Sequence, residues 1–494
     1  MWKVILMSLW PWCAYGAQIS EFESQLNNVF AAVNRPLASF LFFSDHPLQL
    51  PLILVVMLTG GVVLTLRMKF VNVRLFKHAI DVVRGRFDDP NHVGEVTHFQ
   101  ALTSALSATV GLGNIAGVAI AVSLGGPGAV FWLWVVAFFG MSMKFTSCTF
   151  AQMYRRVNPQ GRVLGGPMVY LEEGFRESGV IGSAFGLILA RIFAVMAIFA
   201  SFGGGNLFQA NQAFELLETE FVVFQGSGLI VGCVLAFFVG IVLVGGVTRI
   251  GEVTSKLVPL MCGLYCLGCL AVLSANISAI PDAFYEIFKQ AWYPQAMWSG
   301  GFIGVLIQGI RRASFSNEAG VGSAAIAHAA AKTDEPVREG VVGMLGPFID
   351  THIVCTMTAL TVIVSGAYLE PALVGKGAAL TAYAFSTVGP FLASVLSIIA
   401  VVFAYSTILS WSYYGEKGVE YLFGEKGILP YRILYVLVVI MGPVVSLQNV
   451  IDFSDMMLLS MAFPNIIGML FLSKQVSQKL ESYMVTYKKL ERSN

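Results

Sequence analysis

Charge is what this chain has least of. Asp, Glu, Lys and Arg make up 12% of its 494 residues, about half the share of a soluble domain, which excludes a water-facing surface along most of its length. The formal net charge is +1 and argues neither for nor against a nucleic-acid partner; where the charges fall says more. Enzyme signatures are also missing. There is no Gly-x-Ser-x-Gly elbow, no His-Glu-x-x-His and no Walker A loop, and Gly111-x-Gly113 lacks the third glycine of a dinucleotide fingerprint. Asp350 and His352 would suit an intramembrane enzyme only if they converged, yet residues two apart on a helix point to nearly opposite faces. Without an ATP-binding loop, uphill transport must draw on an ion gradient. Seven cysteines lie almost all in apolar runs and outline no disulfide framework. Cys262, Cys266 and Cys269 share a helical face but lack nearby His, Asp or Glu, so they read as apolar fillers, not metal ligands.

Hydrophobic residues, by contrast, reach 56%, with a mean hydropathy of +0.74. They fall in runs near the length of about 20 residues that spans a bilayer core as a helix. Spans are expected at 50–66, 100–124, 128–154, 182–205, 226–246, 253–275, 300–326, 340–366, 383–412, 431–447 and 454–473. The fold expected is therefore an all-α polytopic membrane protein of about eleven transmembrane helices. Residues 1–17, with Lys3, an apolar run and then Ala14, Gly16 and Ala17, read as a secretory signal peptide. Removing it leaves the mature N-terminus periplasmic. Alternation then puts twenty-two Lys and Arg on the cytoplasmic side and only Arg35, Lys289 and Lys376 outside, as the positive-inside rule requires. The localisation expected is a bacterial inner (plasma) membrane, with the C-terminus cytoplasmic.

Glycine and polar residues interrupt two of these spans. One reads Ser107-Ala-Thr-Val-Gly-Leu-Gly-Asn114, the other Gln308-Gly-Ile-Arg-Arg-Ala-Ser-Phe-Ser-Asn-Glu-Ala-Gly320. Unwound backbone at mid-membrane is tolerated only where it lines a cavity or binds something. Interrupted spans at matching places in two halves point to a transporter binding site. Each opens a block of five spans, and an odd number inverts the second block relative to the first. The organisation expected is a periplasmic segment 18–49, a leading helix 50–66 and a cytoplasmic loop 67–99. A first five-helix repeat at 100–275 follows, then a periplasmic loop 276–299, a second, inverted repeat at 300–473 and a cytoplasmic tail 474–494. Intramembrane charges are functional suspects. Arg311, Arg312, Glu318 and Asp350 are candidate gate or interface charges, pairing among themselves, while Lys144 and Arg191 suggest snorkelling to the cytoplasmic surface.

Ala105-Leu-Ser-Ala-Thr-Val-Gly-Leu-Gly-Asn-Ile-Ala-Gly117, Gly165-Gly-Pro-Met-Val-Tyr170 and Ser316-Asn-Glu-Ala-Gly-Val-Gly-Ser323 together resemble the alanine or glycine:cation symporter family, also called sodium:alanine symporters. The resemblance covers residues 50 to 473. It implies the leucine-transporter fold and symport of a small neutral amino acid, alanine or glycine, with sodium. Proton coupling, D-alanine or glutamine stay open as alternatives, with a channel or an enzyme as remote ones. It implies no cofactor beyond the co-transported sodium ion and no nucleic-acid partner. Substrate binding is expected at Thr109, Gly111, Gly113, Asn114, Gln308, Ser314, Phe315 and Asn317. The carboxylate would meet amides at Gly111 and Gly113, and the ammonium would meet backbone around Ser314–Asn317. Sodium is expected at the carbonyls of Ser107 and Val110, facing Ala404 and Thr407.

Overall fold

The computed structural model describes residues 51–493 except 90, 178, 294–300 and 446, together with isolated residues between 32 and 41. The expected signal peptide and nearly all of segment 18–49 lie outside the described residues. Turns of four residues or fewer aside, helix α1 (Leu52–Arg67) is followed by α2 (Phe76–Val83), α3 (His98–Thr109), α4 (Val118–Gly125) and α5 (Gly128–Tyr154). A two-stranded antiparallel hairpin, β1 (Arg156–Val157) and β2 (Val163–Leu164), leads to α6 (Pro167–Arg176). Then come α7 (Gly179–Phe202), α8 (Phe208–Glu220), α9 (Gly228–Leu243), α10 (Gly246–Ala275) and α11 (Ile280–Gln290). The second half holds α12 (Gly301–Asn317), α13 (Ala324–Ala329), α14 (Pro336–Gly343), α15 (Thr356–Val364) and α16 (Gly377–Ser386). It ends with α17 (Pro390–Phe423), α18 (Ile428–Met441) and α19 (Leu447–Ser493).

Among the described residues, seven helical stretches are long and apolar enough to cross a bilayer. The pair α3 and α4, bent by 50°, makes a further span, and α1 and α9 are shorter apolar helices. The span expected at 300–326 is present as α12 and α13, parted at Glu318–Ser323. Two more spans are locally rewound as π turns, at Gly203–Leu207 between α7 and α8 and at Phe348–Cys355 ahead of α15. The centre of the protein is where these irregular stretches meet α17 and α19. Asn114, Asn206, Ser316, Asn317, Asp350 and Thr407 are all buried there, although polar residues in a membrane interior need partners. The lipid-facing rim carries exposed Ile230, Phe237, Leu267, Leu434 and Leu437, as an apolar solvent demands.

Some expected boundaries are corrected. The stretch taken as a span at 182–205 runs on to Glu220, because the glycine run tightens into a π turn instead of ending the helix. The segments expected to be loops contain the helices α2, α6 and α11, each amphipathic in sequence and lying beside the spans. The segment expected as a tail is helical: α19 continues through it without a break to Ser493. Its far end is tied down by Lys69–Glu481 at 2.6 Å, Lys479–Glu335 at 3.4 Å and His78–Tyr483 at 2.6 Å. Lys144 does not snorkel. It is 3% exposed, in the interior of α5.

The His78 contact has a pH signature. Burial, helped by the nearby Arg338 charge and opposed by Asp81, pushes its imidazole down from 6.5 to about 4. The folded protein therefore keeps His78 neutral over a range where the unfolded chain takes up a proton. Stability follows the difference in bound protons, so this contribution is intact above the unfolded value near 6.5 and declines as the pH falls toward 4. Thermal midpoints measured in detergent from pH 7.5 to 4.5 should drop on the acid side of 6.5. His78→Gln should flatten that limb; an equally steep limb in the variant would show that other groups cause it.

Candidate binding site at the two helix breaks

The first break begins with a well-made helix start. Thr97 and Gln100 form a reciprocal capping box at the head of α3, satisfying two orphan donors. The helix ends at Val110 in Val-Gly-Leu-Gly. The freed amides are answered by side chains: Gly111 N donates to Asn114 Oδ1 at 3.1 Å, and Leu112 N to Gln209 Oε1 of α8 at 3.2 Å. From α17, the Thr407 hydroxyl donates to the Ser107 carbonyl at 2.8 Å. In return the Ser107 hydroxyl donates to the Ser406 carbonyl at 2.7 Å. Ala404, one turn before Thr407, is buried in the same helix. A Cβ on Gly111 would stand 2.5 Å from Thr407 Oγ1 and 3.1 Å from Gln209 Oε1. Only glycine lets the break lie this close to α17.

The second break is strained as well as unwound. Glu318 sits at φ +52, where a side chain is disfavoured, and Gly320 and Gly322 follow at φ +86 and +93. Asn317 Oδ1 accepts from Ala319 N at 2.9 Å, and Asn465 of α19 donates to the Gly320 carbonyl at 2.8 Å. The Glu318 carboxylate is buried, taking hydrogen bonds from Trp411 Nε1 at 3.2 Å and from the Ser323 hydroxyl.

One carboxylate joins the two breaks. Asp350, in the π turn before α15, accepts from Asn114 Nδ2 at 2.7 Å and from the Ser316 hydroxyl at 2.7 Å, with Thr351 adding a third donor at 2.8 Å. The first break supplies Asn114 and the second supplies Ser316. His352, two residues on, instead stacks on Phe348. Between the breaks lies a small cavity lined by Thr109, Gly113, Gln209, Phe315, Glu318 and Trp411, with a volume of about 10 Å³. That is room for about one water.

Of the residues expected at the substrate, Thr109, Gly113 and Phe315 line this cavity. Gly111 and Asn114 build its rim through the bonds above. Asn317 turns away to Thr351 Oγ1 at 2.9 Å, and the Ser314 hydroxyl bonds back to the Ile310 carbonyl and touches Met57. Gln308, two turns earlier in α12, packs beside Gly125 and is not among the cavity residues. The expected pairing of Arg311 and Arg312 with Glu318 or Asp350 is corrected: both reach Asp455 of α19, at 2.7 and 2.9 Å. Sequence reasoning missed Gln209 and Trp411. The run Gly203-Gly-Gly-Asn206 was their signal, since Gly205 lies directly against Trp411 and Gly204 takes a bond from Gln209 Nε2 at 2.9 Å.

Comparisons with known proteins bear on the family and the fold. The family model described as the sodium:alanine symporter family matches residues 36–494. The sodium/alanine symporter AgcS of Methanococcus maripaludis is 44% identical over 435 residues, 88% of this chain and 94% of its own. The probable sodium/glutamine symporter GlnT of Bacillus subtilis is 34% identical, covering 87% of each chain. Among solved structures, that of MhsT in complex with L-phenylalanine superposes with a TM-score of 0.51 at 14% identity, over 78% of this chain and 99% of that one. It shows the fold alone: the leucine-transporter-type arrangement of an all-α polytopic membrane protein.

Because Asn114 bonds both Gly111 N and Asp350, Asn114→Ala would leave a buried amide and a buried carboxylate each short of a partner. At about 1–3 kcal/mol per group, and more for a charge, the loss should be about 2–5 kcal/mol. Unfolding of the purified protein in detergent by a graded denaturant measures it. A stability equal to that of the unsubstituted chain would show that Asn114 does not hold the break.

Proposed function

The chain belongs to the sodium:alanine symporter family, whose members are cation-coupled amino-acid symporters and not enzymes, and from that premise we propose that it brings a small neutral amino acid, alanine or glycine, into the cell together with sodium. The observation that carries this reading is the cavity between the breaks. It is lined by Gly113 of the first break and Glu318 of the second, with Phe315 and Trp411 between them. An amino-acid zwitterion suits such a pair of ends, its carboxylate toward the amide ends of the broken helix and its ammonium toward Glu318. The tight walls favour a small side chain, and loading requires the breaks to part.

Sodium is a hard cation that seeks several oxygens at once. The carbonyls of Ser107 and Val110 and the hydroxyl of Thr407, beside Ala404, offer them where α3 ends. A tenfold inward gradient and about −100 mV together supply about 3.7 kcal/mol per sodium ion, enough for about 500-fold accumulation of a neutral substrate at one-to-one coupling. Glu318 favours a second reading, in which a proton on that buried carboxylate replaces sodium as the coupling ion. Purified protein in liposomes should concentrate labelled alanine or glycine under an inward sodium gradient. Uptake under a proton gradient in sodium-free medium selects the second reading, and uptake indifferent to both gradients overturns symport.

The same reading assigns one leading helix and two inverted repeats, 100–275 and 300–473, with the C-terminus in the cytoplasm. A fluorescent fusion at Asn494 that matures only in the cytoplasm should glow; a stable but dark fusion would reverse the orientation.

Thr407 gives the sharpest test of the cation site. Thr407→Ala should keep the protein folded but raise the sodium concentration for half-maximal uptake about tenfold, the loss of one good ligand interaction. Thr407→Ser retains the oxygen and should be much milder. Ser406→Ala should be mild too, because the Ser406 hydroxyl bonds the Phe403 carbonyl and touches Met261, away from the break. An unchanged sodium dependence in Thr407→Ala removes this site assignment and leaves the transporter reading standing.

A further inference from the structure

Three Lys or Arg side chains are buried among the described residues: Lys144, Arg312 and Lys417. Arg312 is held by Asp455 at 2.9 Å, and Lys417 by Glu420 at 2.7 Å. Lys144 forms no ion pair, and its ammonium no hydrogen bond, among the described residues, although an ionised group without compensation in a membrane interior is costly. Its position is nevertheless specific. The side chain lies against Gly346, where a Cβ would stand 3.2 Å from Nζ and 3.5 Å from Cδ. Gly346 is one turn before Asp350 and leads into its π turn. One turn before Lys144, Gly140 of α5 abuts Ala319 so closely that a Cβ there would come within 2.5 Å of it. Ala319 is the residue after Glu318. Lys144 is thus wedged between the second break, which carries Glu318, and the π turn, which carries Asp350.

Counted as ionised, Glu318, Asp350 and Lys144 sum to one negative charge, while the neighbouring Arg311, Arg312 and Asp455 form an ion cluster of their own toward α19. A zwitterionic substrate adds none, and one sodium ion brings the total to zero. Without Lys144 the empty site would carry two buried negative charges. A carrier that returns empty must change its access in that state, when no cation is there to offset them.

We propose that Lys144 is the internal counter-ion of the transport site, offsetting Glu318 and Asp350 while the site is empty and yielding them to the incoming cation when it is loaded. Its flexible stem and unbonded ammonium suit a group that must serve two carboxylates without being fixed to either. The proposal rests on the cation-coupled reading above, and it divides two activities that a merely structural lysine would affect alike. Exchange of external labelled alanine for internal unlabelled alanine, at saturating sodium on both sides, uses only the loaded carrier. Net uptake driven by a sodium gradient also needs the empty return.

The test uses the full chain in proteoliposomes, unsubstituted and as Lys144→Met and Lys144→Gln. In both variants exchange should stay within about twofold of the unsubstituted chain while net uptake falls about tenfold or more. The sodium concentration for half-maximal exchange should fall severalfold, because a more negative site attracts the cation more strongly. Exchange and net uptake falling in equal proportion, or both unchanged, overturns the proposal, as does an unaltered sodium dependence. If the unsubstituted chain shows neither exchange nor gradient-driven uptake, the symport reading itself fails, and that outcome is visible before any variant is compared.

Discussion

A backbone amide or carbonyl with no partner in the middle of a bilayer costs several kcal/mol, and this constraint shapes the centre of the protein. Two helices are opened there, and the groups released are met by side chains, two from the breaks themselves and two from other helices. Asn114 and Gln209 take the amides of Gly111 and Leu112; Asn317 takes that of Ala319; Asn465 reaches the carbonyl of Gly320. Asn114 and Asn317 act within their own breaks, whereas Gln209 and Asn465 come from α8 and α19, so the breaks are completed only in the assembled fold. This explains why so many polar residues lie at 0% exposure in an otherwise apolar chain: Asn114, Asn317 and Asn465 are part of the backbone's own hydrogen bonding.

The same arrangement makes the two breaks one unit. Asp350 accepts from Asn114 on one side and Ser316 on the other, so a shift at either break is felt at a buried carboxylate shared by both. The first break is further tied to α17 through Thr407 and Ser107, and the second through Trp411 and Glu318. A ligand entering the cavity between them therefore alters contacts to α17, α19 and the π turn together, the kind of differential contact through which binding shifts a conformational equilibrium.

The all-α membrane fold and both breaks were legible in the sequence because their causes are local. Long apolar runs and Gly-x-Gly beside Asn114 read along the chain. What was illegible depended on partners far away in sequence. Gln209 matters because of Leu112, ninety-seven residues earlier. Arg311 and Arg312 lie close in sequence to Glu318 but pair with Asp455, because their side chains face α19 while the strained backbone at Glu318 turns its carboxylate to Trp411. Gln308, which the resemblance set near the substrate, lies two turns before Phe315 in α12 and packs beside Gly125. The contacts that Tyr483 and Lys479 make in α2 and just ahead of α14 were illegible for a similar reason.

The two broken helices are also joined at the end where α3 begins and α13 stops. The strand-like leads flanking them pair directly, with Glu95 N and Val96 N on the Ala330 carbonyl and Lys332 N on that of Val96. Arg155 adds hydrogen bonds to the carbonyls of Val93, Ala329, Ala331 and Thr333. Buried Glu339 of α14 then accepts from His98 at the head of α3 and from His328 in α13. Separating α3 from α13 would strip partners from backbone groups, a guanidinium and a buried carboxylate at once. Hydrogen bonds to charged groups are each worth about 1.5–3 kcal/mol, so the two half-helices are held firmly to each other. A motion that kept α3 and α13 together would instead work against their contacts with α17. The Thr407–Ser107 contact, which spans α17 and α3, lies on the seam such a motion would open.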